Sequence, residues 1–320
     1  MNILVLSCGT RNKIINYFKK SLKKEDRIIA CDCSKYAPAL YEADSFYIVP
    51  RIDANNYLDV IFEICKKEKI NAILSLIDPE LELLAHNRIF FESKGVKVIV
   101  SNEDVVKMAF DKYEMYKHCK KNNIKTVKSY ITLEEFEKDY KNGFIDFPVF
   151  VKPYNGSCSK NISRIDSYKE LTEVMGKFEN LMIQEYMDGQ EIGVDVYIDS
   201  ISGKVINIFT KKKILMRAGE TDKSISFKDQ KLFDFIEKFI SKTPFSYNID
   251  IDIFEKDGEY YISEVNPRFG GGYPHAYESG CDFMKLIINN VNGITNKPSI
   301  GNYEENIVMM KYLDLMVKKF

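Results

Sequence analysis

One stretch of the chain, residues 248–272, constrains the fold more than any other, and it reads NIDIDIFEKDGEYYISEVNPRFGGG. Aspartate and isoleucine alternate from Ile249 to Ile253, which is the pattern of a strand with one polar and one apolar face. Asp257-Gly258 is a typical hairpin turn, and a second strand carrying Glu264 and Asn266 on one face follows it. The stretch therefore predicts a β-hairpin that runs into a glycine-rich loop.

The geometry of the turn decides which side chains of this hairpin meet. A two-residue turn would leave Asp252 and Glu264 on opposite faces, so we expect a three-residue loop with Gly258 in the left-handed conformation. Asp252 then lies with Glu264 and Asn266, and such oxygen ligands suit Mg²⁺. An arginine just beyond, Arg268, can stabilise charge on a transferred phosphoryl group. For Asp252 alone, a solvated surface acid is an equally good interpretation.

Composition excludes several classes of function. The 46 basic and 47 acidic side chains give a net charge of −1, so neither nucleic acid nor an anionic membrane is an expected partner. The seven cysteines lack metal-site spacing and indicate thiols in a reducing compartment. The first residues, MNILVLSCG, predict a strand and not a signal peptide, and no stretch approaches the roughly 20 apolar residues of a membrane span. We therefore expect a cytoplasmic protein.

The first hundred residues alternate short apolar runs with helical patterns, which predicts a mainly parallel, Rossmann-like layer. The expected strands are Asn2–Ser7, Arg27–Cys31, Phe46–Val49, Ala72–Leu76 and Val96–Val100. The expected helices are Asn12–Leu22, Tyr57–Lys67 and Glu80–Lys94. The dinucleotide motif G-x-G-x-x-G is missing after the first strand, which disfavours a dehydrogenase. Substrate binding at the carboxyl ends of the strands is a better hypothesis for Arg11, Asp32 and the Asp78-Pro79-Glu80 loop.

Several further polar residues are weak signals when taken singly. Lys152 lies inside a predicted strand that precedes a small-residue loop, and such a lysine can contact anionic phosphates. Lys112 follows the predicted helix cap Asp111, where a lysine is usually solvated. Lys211 and Lys213 share one face of a predicted strand, and Arg217–Ser224 is predicted to be a polar loop. His275 could contact a substrate or act as a base, although a single loop histidine more often packs or caps.

The string Glu264-Val265-Asn266-Pro267-Arg268 with its trailing glycines resembles the metal-binding signature of the ATP-grasp superfamily. The likeness is strongest to the carboxylate–amine ligases and the large-chain carbamoyl-phosphate synthetases. In that family a further metal ligand lies twelve positions before the glutamate, and here that position is Asp252. The resemblance thus implies ATP and Mg²⁺ or Mn²⁺ as cofactors, with Asp252, Glu264 and Asn266 as the metal ligands.

The same resemblance implies roles for the residues that were ambiguous singly. Catalytic roles fall to Arg268, at the migrating phosphoryl group, and to Arg217, at the substrate carboxylate or its acyl phosphate. Backbone groups near Tyr186 would recognise the adenine edge, and Met187 would form an apolar wall of the adenine pocket. Glu191 would accept hydrogen bonds from the ribose hydroxyls. The full set of implied nucleotide-binding residues is Lys112, Lys152, Ser157, Glu185, Tyr186, Met187, Glu191 and Lys213.

The fold class expected from these observations is α/β plus α+β, a Rossmann-like domain followed by a two-lobed ATP-grasp fold. The predicted domains are residues 1–104, residues 105–187 with the linking helices and lid, and residues 188–320 with the metal site. The expected activity is an ATP-dependent carboxylate–amine ligase that forms an amide through an acyl phosphate. Two alternatives stay open: carbamoyl-phosphate-type chemistry on bicarbonate or carbamate, and a non-catalytic nucleotide-binding module. Small-molecule acids and amines are the expected partners, and a homodimer is favoured because homodimers are common.

Overall fold

The computed structural model describes residues 1–156 and 163–319 of the chain. Its first sheet is parallel with the strand order β3-β2-β1-β4-β5. The strands are β1 (Asn2–Leu6), β2 (Arg27–Asp32), β3 (Ser45–Ile48), β4 (Ala72–Ser75) and β5 (Lys97–Val98). The helices that accompany them are α1 (Asn12–Ser21), α2 (Tyr57–Lys67), α3 (Asp78–His86) and α4 (Arg88–Ser93). The order reverses between β1 and β4, so their carboxyl ends border the crevice where open α/β sheets bind ligands.

The prediction of a single helix over residues 80–94 is wrong, because Asn87 separates α3 from α4. The side chain of Asn87 donates to the carbonyl of Leu83 at 2.8 Å. Asparagine side chains bond nearby backbone groups in this way, and they therefore favour helix ends over helix interiors.

A second, antiparallel sheet has the order β6-β9-β7-β8 and forms the smaller lobe. Two helices, α5 (Glu103–Phe110) and α6 (Lys112–Lys121), lead into it. Its strands are β6 (Ser129–Tyr130), β7 (Val149–Pro153), β8 (Ser163–Ile165) and β9 (Leu181–Glu185). The helices α7 (Leu133–Lys141) and α8 (Tyr168–Lys177) cover it around a core of its own that includes Phe136, Val151 and Leu171. Ser157, an implied phosphate-loop residue, lies outside the described residues.

The third sheet is antiparallel, with the order β14-β13-β10-β11-β12-β15. Its strands are β10 (Gln190–Ile198), β11 (Val205–Arg217), β12 (Glu220–Phe227), β13 (Tyr247–Lys256), β14 (Glu259–Asn266) and β15 (Val308–Met310). Its helices are α9 (Gln230–Lys242), α10 (Tyr273–Glu278) and α11 (Phe283–Val291). One continuous apolar core joins Val5 of β1 and Phe18 of α1 to Val196 and Phe283 of this part of the chain. The parallel layer is thereby fixed against the large sheet.

The hairpin β13–β14 does not have the predicted three-residue loop. Lys256 pairs with Glu259, so the turn is Asp257-Gly258 alone, with φ of +54° and +72° at the two residues. Asp252 nevertheless faces Glu264, because the register shifts between Asp252 and Ile253 and leaves Ser263 as an extra residue. A β-bulge of this kind moves the following residues to the other face. The bulge, and not the loop, brings the two acids together.

Residues 217–224 do not form the predicted polar loop. β11 and β12 continue through this segment, and Arg217 pairs with Glu220 across a turn at Ala218-Gly219. Both turn residues have positive φ, +50° and +78°, as the tight hairpin turn with the right twist requires. Among the helices of the described residues, none has the length and apolarity to cross a bilayer.

Two of the buried polar groups in the large sheet form an ion pair. The Lys211 side chain on β11 is 1% exposed, and its Nζ contacts Oδ2 of Asp195 on β10, whose side chain is 2% exposed. A Cβ at Gly193 or Gly272 would come within 2.9 or 2.7 Å of the Lys211 Cε. Two glycines therefore make the room that the lysine stem occupies.

His275 is also buried, on α10. Its Nδ1 lies 2.8 Å from the Ser224 hydroxyl, and its Nε2 lies 3.0 Å from the carbonyl oxygen of Ile307. The carbonyl can only accept, so Nε2 carries the proton and Nδ1 accepts from Ser224. Burial, with the charge of Lys211 adding to it, lowers the pKa of His275 to about 4. The packing interpretation of this histidine fits these contacts.

We expect the Asp195–Lys211 pair to show strong coupling. Lys211→Met leaves a buried carboxylate unpaired and should cost roughly 3–5 kcal/mol in the free energy of unfolding. Adding Asp195→Asn should recover much of that loss, as measured by urea denaturation in a double-mutant cycle. Lys107→Met, in the half-exposed Lys107–Glu103 pair, is the control, and it should cost far less than Lys211→Met. Additive effects of the two buried substitutions would contradict the pairing.

We expect His275 to lower the stability of the fold as the pH is lowered. In the unfolded chain its pKa is ordinary, about 6.5, so the unfolded state binds the proton first as pH falls. Stability is then lost from about pH 6.5 down towards the folded pKa of about 4, with roughly 2 kcal/mol lost by pH 5. His275→Asn should flatten this part of the curve of unfolding free energy against pH. His86→Asn, at a side chain that is 68% exposed, should leave the curve unchanged. Equal slopes for His275→Asn and wild type would refute the assignment.

Candidate functional site

The polar face of the β13–β14 hairpin carries two opposed pairs of residues. Asp252 lies opposite Glu264, and Asp250 lies opposite Asn266. The side chains of Asp252 and Glu264 are each 27% exposed, so each acid is partly buried and partly accessible to solvent. The predicted metal ligands are thus neighbours on adjacent strands, at the spacing that directly opposed strand residues share.

Lys213 on β11 connects this hairpin to β10. Its Nζ lies 2.6 Å from Oδ1 of Asp252 and 2.7 Å from Oε1 of Glu191. Burial would lower the pKa of the Lys213 ammonium, but the charges of Asp252 and Glu191 outweigh burial and raise it. Lys213 is therefore a fixed cation, and it joins the residue implied for the ribose to a residue implied for the metal.

Two more lysines approach the same acids from the smaller lobe and from α6. The Lys112 Nζ lies 3.8 Å from Oε2 of Glu264 and donates to the carbonyl of Gly156 at 2.9 Å. Its side chain is 10% exposed, so it is not the exposed residue that the helix start suggested. Lys152 is 9% exposed, and its ammonium makes no hydrogen bond to any residue that the structure describes. Burial and the charge of Lys112 lower the pKa of Lys152, while Glu264 opposes that shift.

Asp250 is the carboxylate that the sequence did not assign to the site. Burial and the neighbouring charges of Asp252 and Asp195 raise the pKa of Asp250 to about 7. A Cβ at Gly270 would collide with its carboxyl group, so the glycine-rich loop packs directly on it. The signal was present in the sequence, since Asp250 and Asp252 alternate with isoleucines and must share a face.

Each glycine of the glycine-rich loop packs closely against a side chain of the protein. A Cβ at Gly271 would lie 2.7 Å from the Glu220 carboxyl group, and one at Gly272 would lie 2.7 Å from the Lys211 stem. Glu220 in turn bridges Arg11, at 2.8 Å, and Lys311, at 3.0 Å. Arg11 was predicted to lie at the substrate crevice and Glu220 in the polar loop of residues 217–224, whereas no signal singled out Lys311.

Arg268 is held in place on several sides. Its Nε and Nη2 contact the two carboxylate oxygens of Asp78 at 2.9 and 3.0 Å, and Nη2 lies 3.3 Å from Oδ1 of Asn266. Arg217, the other predicted catalytic residue, is 56% exposed near the β11–β12 turn and pairs with Asp222 at 3.2 Å. Its ion-pair partner in the described structure is thus not an acid of the hairpin.

The residues implied for the nucleotide base connect the two lobes. β9 ends at Glu185, β10 begins at Gln190, and Tyr186 and Met187 lie between them. Tyr186 stacks on Phe150 with 5.9 Å between ring centroids, and Met187 is 8% exposed. An apolar wall beside free backbone groups is the usual lining of a small-molecule slot.

The oxygen donors present fit a hard cation. Within residues 1–156 and 163–319, no three His, Cys, Asp or Glu side chains are grouped closely enough to hold a metal ion. The set on the hairpin is instead two carboxylates and the carboxamide of Asn266. Mg²⁺ is commonly bound through one or two carboxylates, with waters and substrate phosphates as its other ligands.

Two cavities differ in their relation to this cluster. A small one is lined by Asp78, Lys112, Gly156, Glu264 and Asn266, together with apolar residues such as Leu81 and Phe110. A larger one, of about 490 Å³, is lined by Met1, Asn71, Lys97 and Val291 and by none of the predicted site residues. We place the site at the small cavity, since Lys112, Glu264 and Asn266 of the predicted site line it.

Comparison with known proteins agrees with this architecture. Residues 3–99 match the family model "PylC-like, N-terminal domain", and residues 177–313 match "ATP-grasp in the biosynthetic pathway with Ter operon". A formate-dependent phosphoribosylglycinamide formyltransferase of Prochlorococcus marinus is 25% identical over 308 residues, which are 91% of this chain and 73% of that protein. A carbamoyl-phosphate synthase of Methanobrevibacter smithii is 26% identical over 157 residues, 48% of this chain and only 41% of that protein.

Solved structures share the fold. The biotin carboxylase domain of a Hydrogenobacter thermophilus 2-oxoglutarate carboxylase, determined as a dimer with MgADP, ADP and bicarbonate, superposes with a TM-score of 0.75 at 18% identity. The match covers 96% of this chain and 73% of that one. The expected fold class, a Rossmann-like domain before an ATP-grasp fold, is confirmed. The chain therefore carries a PylC-like N-terminal domain over residues 3–99 and an ATP-grasp domain over residues 177–313.

Proposed function

We propose that the chain is an ATP-dependent carboxylate–amine ligase that forms an amide through an acyl phosphate and releases ADP and phosphate. One observation carries the proposal: Asp252, Glu264 and Asn266 meet on adjacent strands, with Arg268 beside them. Lys112 and Lys213 contact the two acids. This is the arrangement expected of a site that holds a triphosphate and a hard cation, and it lies in an ATP-grasp domain.

Asp252, Glu264 and Asn266 would hold Mg²⁺ or Mn²⁺. When bound, the ion would neutralise negative charge on the triphosphate. Lys112, Lys152 and Lys213 would share the remaining phosphate charge, since each already lies among the carboxylates that surround the site. Lys152 would contribute too, because its side chain is largely buried beside the charge of Glu264.

The base and ribose would bind where the two lobes join. Backbone groups of Glu185, Tyr186 and Met187 are proposed to recognise the adenine edge, and Met187 would form the apolar wall. Glu191 would accept the ribose hydroxyls. Ser157, which lies outside the described residues, is also proposed to contact the phosphates.

The chemistry requires a carboxylate oxygen to become a good leaving group. The carboxylate attacks the γ-phosphorus, the bond to the β-phosphate oxygen breaks, and ADP leaves. An amine then adds to the acyl carbon, phosphate departs and the nitrogen loses a proton. Arg268 is positioned to stabilise charge on the transferred group, and Arg217 is proposed to contact the substrate carboxylate. Closure of the small lobe would keep water from the acyl phosphate.

Phosphorylation of bicarbonate or carbamate is the second candidate. The likeness to a carbamoyl-phosphate synthase favours it, as does the likeness to a carboxylase domain determined with bicarbonate. The two reactions differ in a simple assay, because a carboxylate–amine ligase needs both an acid and an amine for sustained ADP release. A bicarbonate kinase would release ADP with bicarbonate alone. A homodimer is also part of the proposal, since the Hydrogenobacter domain was determined as a dimer.

Glu264→Gln tests the proposed site. With ATP and Mg²⁺, wild type should release phosphate in a screen of small carboxylic acids paired with amino acids. Glu264→Gln should lower that rate by roughly 10²-fold and weaken MgADP binding in calorimetry, because one charged ligand becomes neutral.

The matched control is Glu255→Gln, on the same hairpin near its turn, where the side chain accepts from the Gly258 backbone amide. It should leave both rate and affinity unchanged. If wild type binds no MgADP, or if Glu264→Gln turns over ATP like wild type, the proposed site is wrong.

A further inference from the structure

The guanidinium of Arg268 is bound by a residue of the N-terminal domain. Asp78, the first residue of α3, lies at the carboxyl end of the parallel sheet, 190 positions before Arg268 in the chain. The pair is bidentate and buried, with side chains 13% and 9% exposed. We propose that Asp78 is a positioning residue for catalysis, which fixes Arg268 in the orientation that meets the transferred phosphoryl group. The inference rests on the proposed ligase function.

The donors of Arg268 are almost fully used by protein groups. A guanidinium has five N–H donors in a rigid plane. Within residues 1–156 and 163–319 it makes four hydrogen bonds: two to Asp78, one to Oδ1 of Asn266 and one to the carbonyl of Phe269. One N–H, on Nη1, has no acceptor among these residues and is proposed to bind the ligand. Because the plane is held by both Asp78 and Asn266, that donor has one direction only, which is the preorganisation that electrostatic catalysis requires.

Hydrogen bonds around the start of α3 support the position of Asp78. The turn before α3 is held by Ser75, whose hydroxyl accepts from the backbone amide of Ile77 at 3.2 Å. Ser75 and the hydroxyl of Tyr57 both bond the carboxyl group of Glu80, which is fully buried. The Asp78 side chain does not cap its own helix, so its carboxylate is available to Arg268. Supporting contacts of this kind hold a functional side chain within the tolerance that chemistry needs.

A purely structural ion pair would have different consequences. Removing it would lower stability but would not change how the bound nucleotide reacts. A positioning residue acts through Arg268, so its loss should lower kcat and leave nucleotide affinity nearly intact. It should also have no further effect once Arg268 is gone.

The kinetic test compares Asp78→Asn in wild type and in an Arg268→Ala background. We expect Asp78→Asn to lower kcat for ATP-dependent phosphate release by roughly 10²-fold, with the Kd for MgADP within about twofold. In the Arg268→Ala background the same substitution should change kcat by less than about twofold. Asp78→Glu keeps the charge, and it should recover part of the rate. Glu68→Gln removes another carboxylate–arginine pair of the N-terminal domain, with Arg27 at 2.8 Å, and should leave kcat unchanged.

A second readout does not depend on turnover. The chain has seven arginines, so its arginine Nε–H signals form a simple ¹H–¹⁵N spectrum. The signal of Arg268, assigned by its loss in Arg268→Lys, should be protected from exchange in wild type and in Asp78→Glu. It should be lost in Asp78→Asn but not in Glu68→Gln.

The outcomes separate this inference from the proposed function. Equal losses from Asp78→Asn with and without Arg268 would overturn the positioning role, as would an unchanged kcat or a persisting Arg268 signal. If wild type itself shows no ATP-dependent turnover, the proposed function fails, whatever Asp78 does to the spectrum. Should Asp78→Asn fail to fold, Asp78→Glu with wild-type stability, a displaced Arg268 signal and a lowered kcat would support the role. Wild-type kinetics for Asp78→Glu with a displaced signal would contradict it.

Discussion

The juxtaposition of Asp252 and Glu264 across β13 and β14 is the constraint on which the rest of the site depends. Two carboxylates on directly opposed strand positions repel each other, and a sheet tolerates them only if cations lie nearby. Lys213 and Lys112 supply those cations from β11 and from the start of α6. Asp195 on β10 lies opposite Asp250 on β13, and Lys211 neutralises it. Acids on β10, β13 and β14 are thus paired with lysines on β11 and at the start of α6.

Close packing of backbone against these charged side chains explains the glycines around the site. Gly193 and Gly272 flank the Lys211 stem, and Gly270 lies against the Asp250 carboxyl group. A side chain at any of these positions would collide with a lysine stem or a carboxyl group. The groups that pack against the glycine-rich loop in the described structure are side chains of the protein. Its role in the fold is therefore to leave room for these side chains.

The N-terminal domain contributes to the site through few contacts. A shared apolar core fixes it against the large sheet, and Arg11 and Asp78 project from the carboxyl ends of its strands. These two residues bind Glu220 and Arg268, which belong to separate elements of the ATP-grasp domain. The crevice at the point where the strand order reverses therefore faces the proposed phosphoryl-transfer site. That arrangement gives the parallel layer a place in the chemistry as well as in the fold.

Local patterns in the sequence were enough to predict the alternating strands and helices of the first hundred residues, the β13–β14 hairpin and the ATP-grasp domain. These features depend on side-chain periodicity, turn residues and a short motif, all of which are properties of neighbouring residues. The domain boundaries and the roles of the site residues stay predictions. Only the tertiary structure decided that a bulge at Ser263 sets the register, that Lys211 is buried, and that Asp78 binds Arg268. Each of these depends on the partner that a distant segment supplies, and a one-dimensional pattern carries no record of which charged groups long-range pairing will bring together.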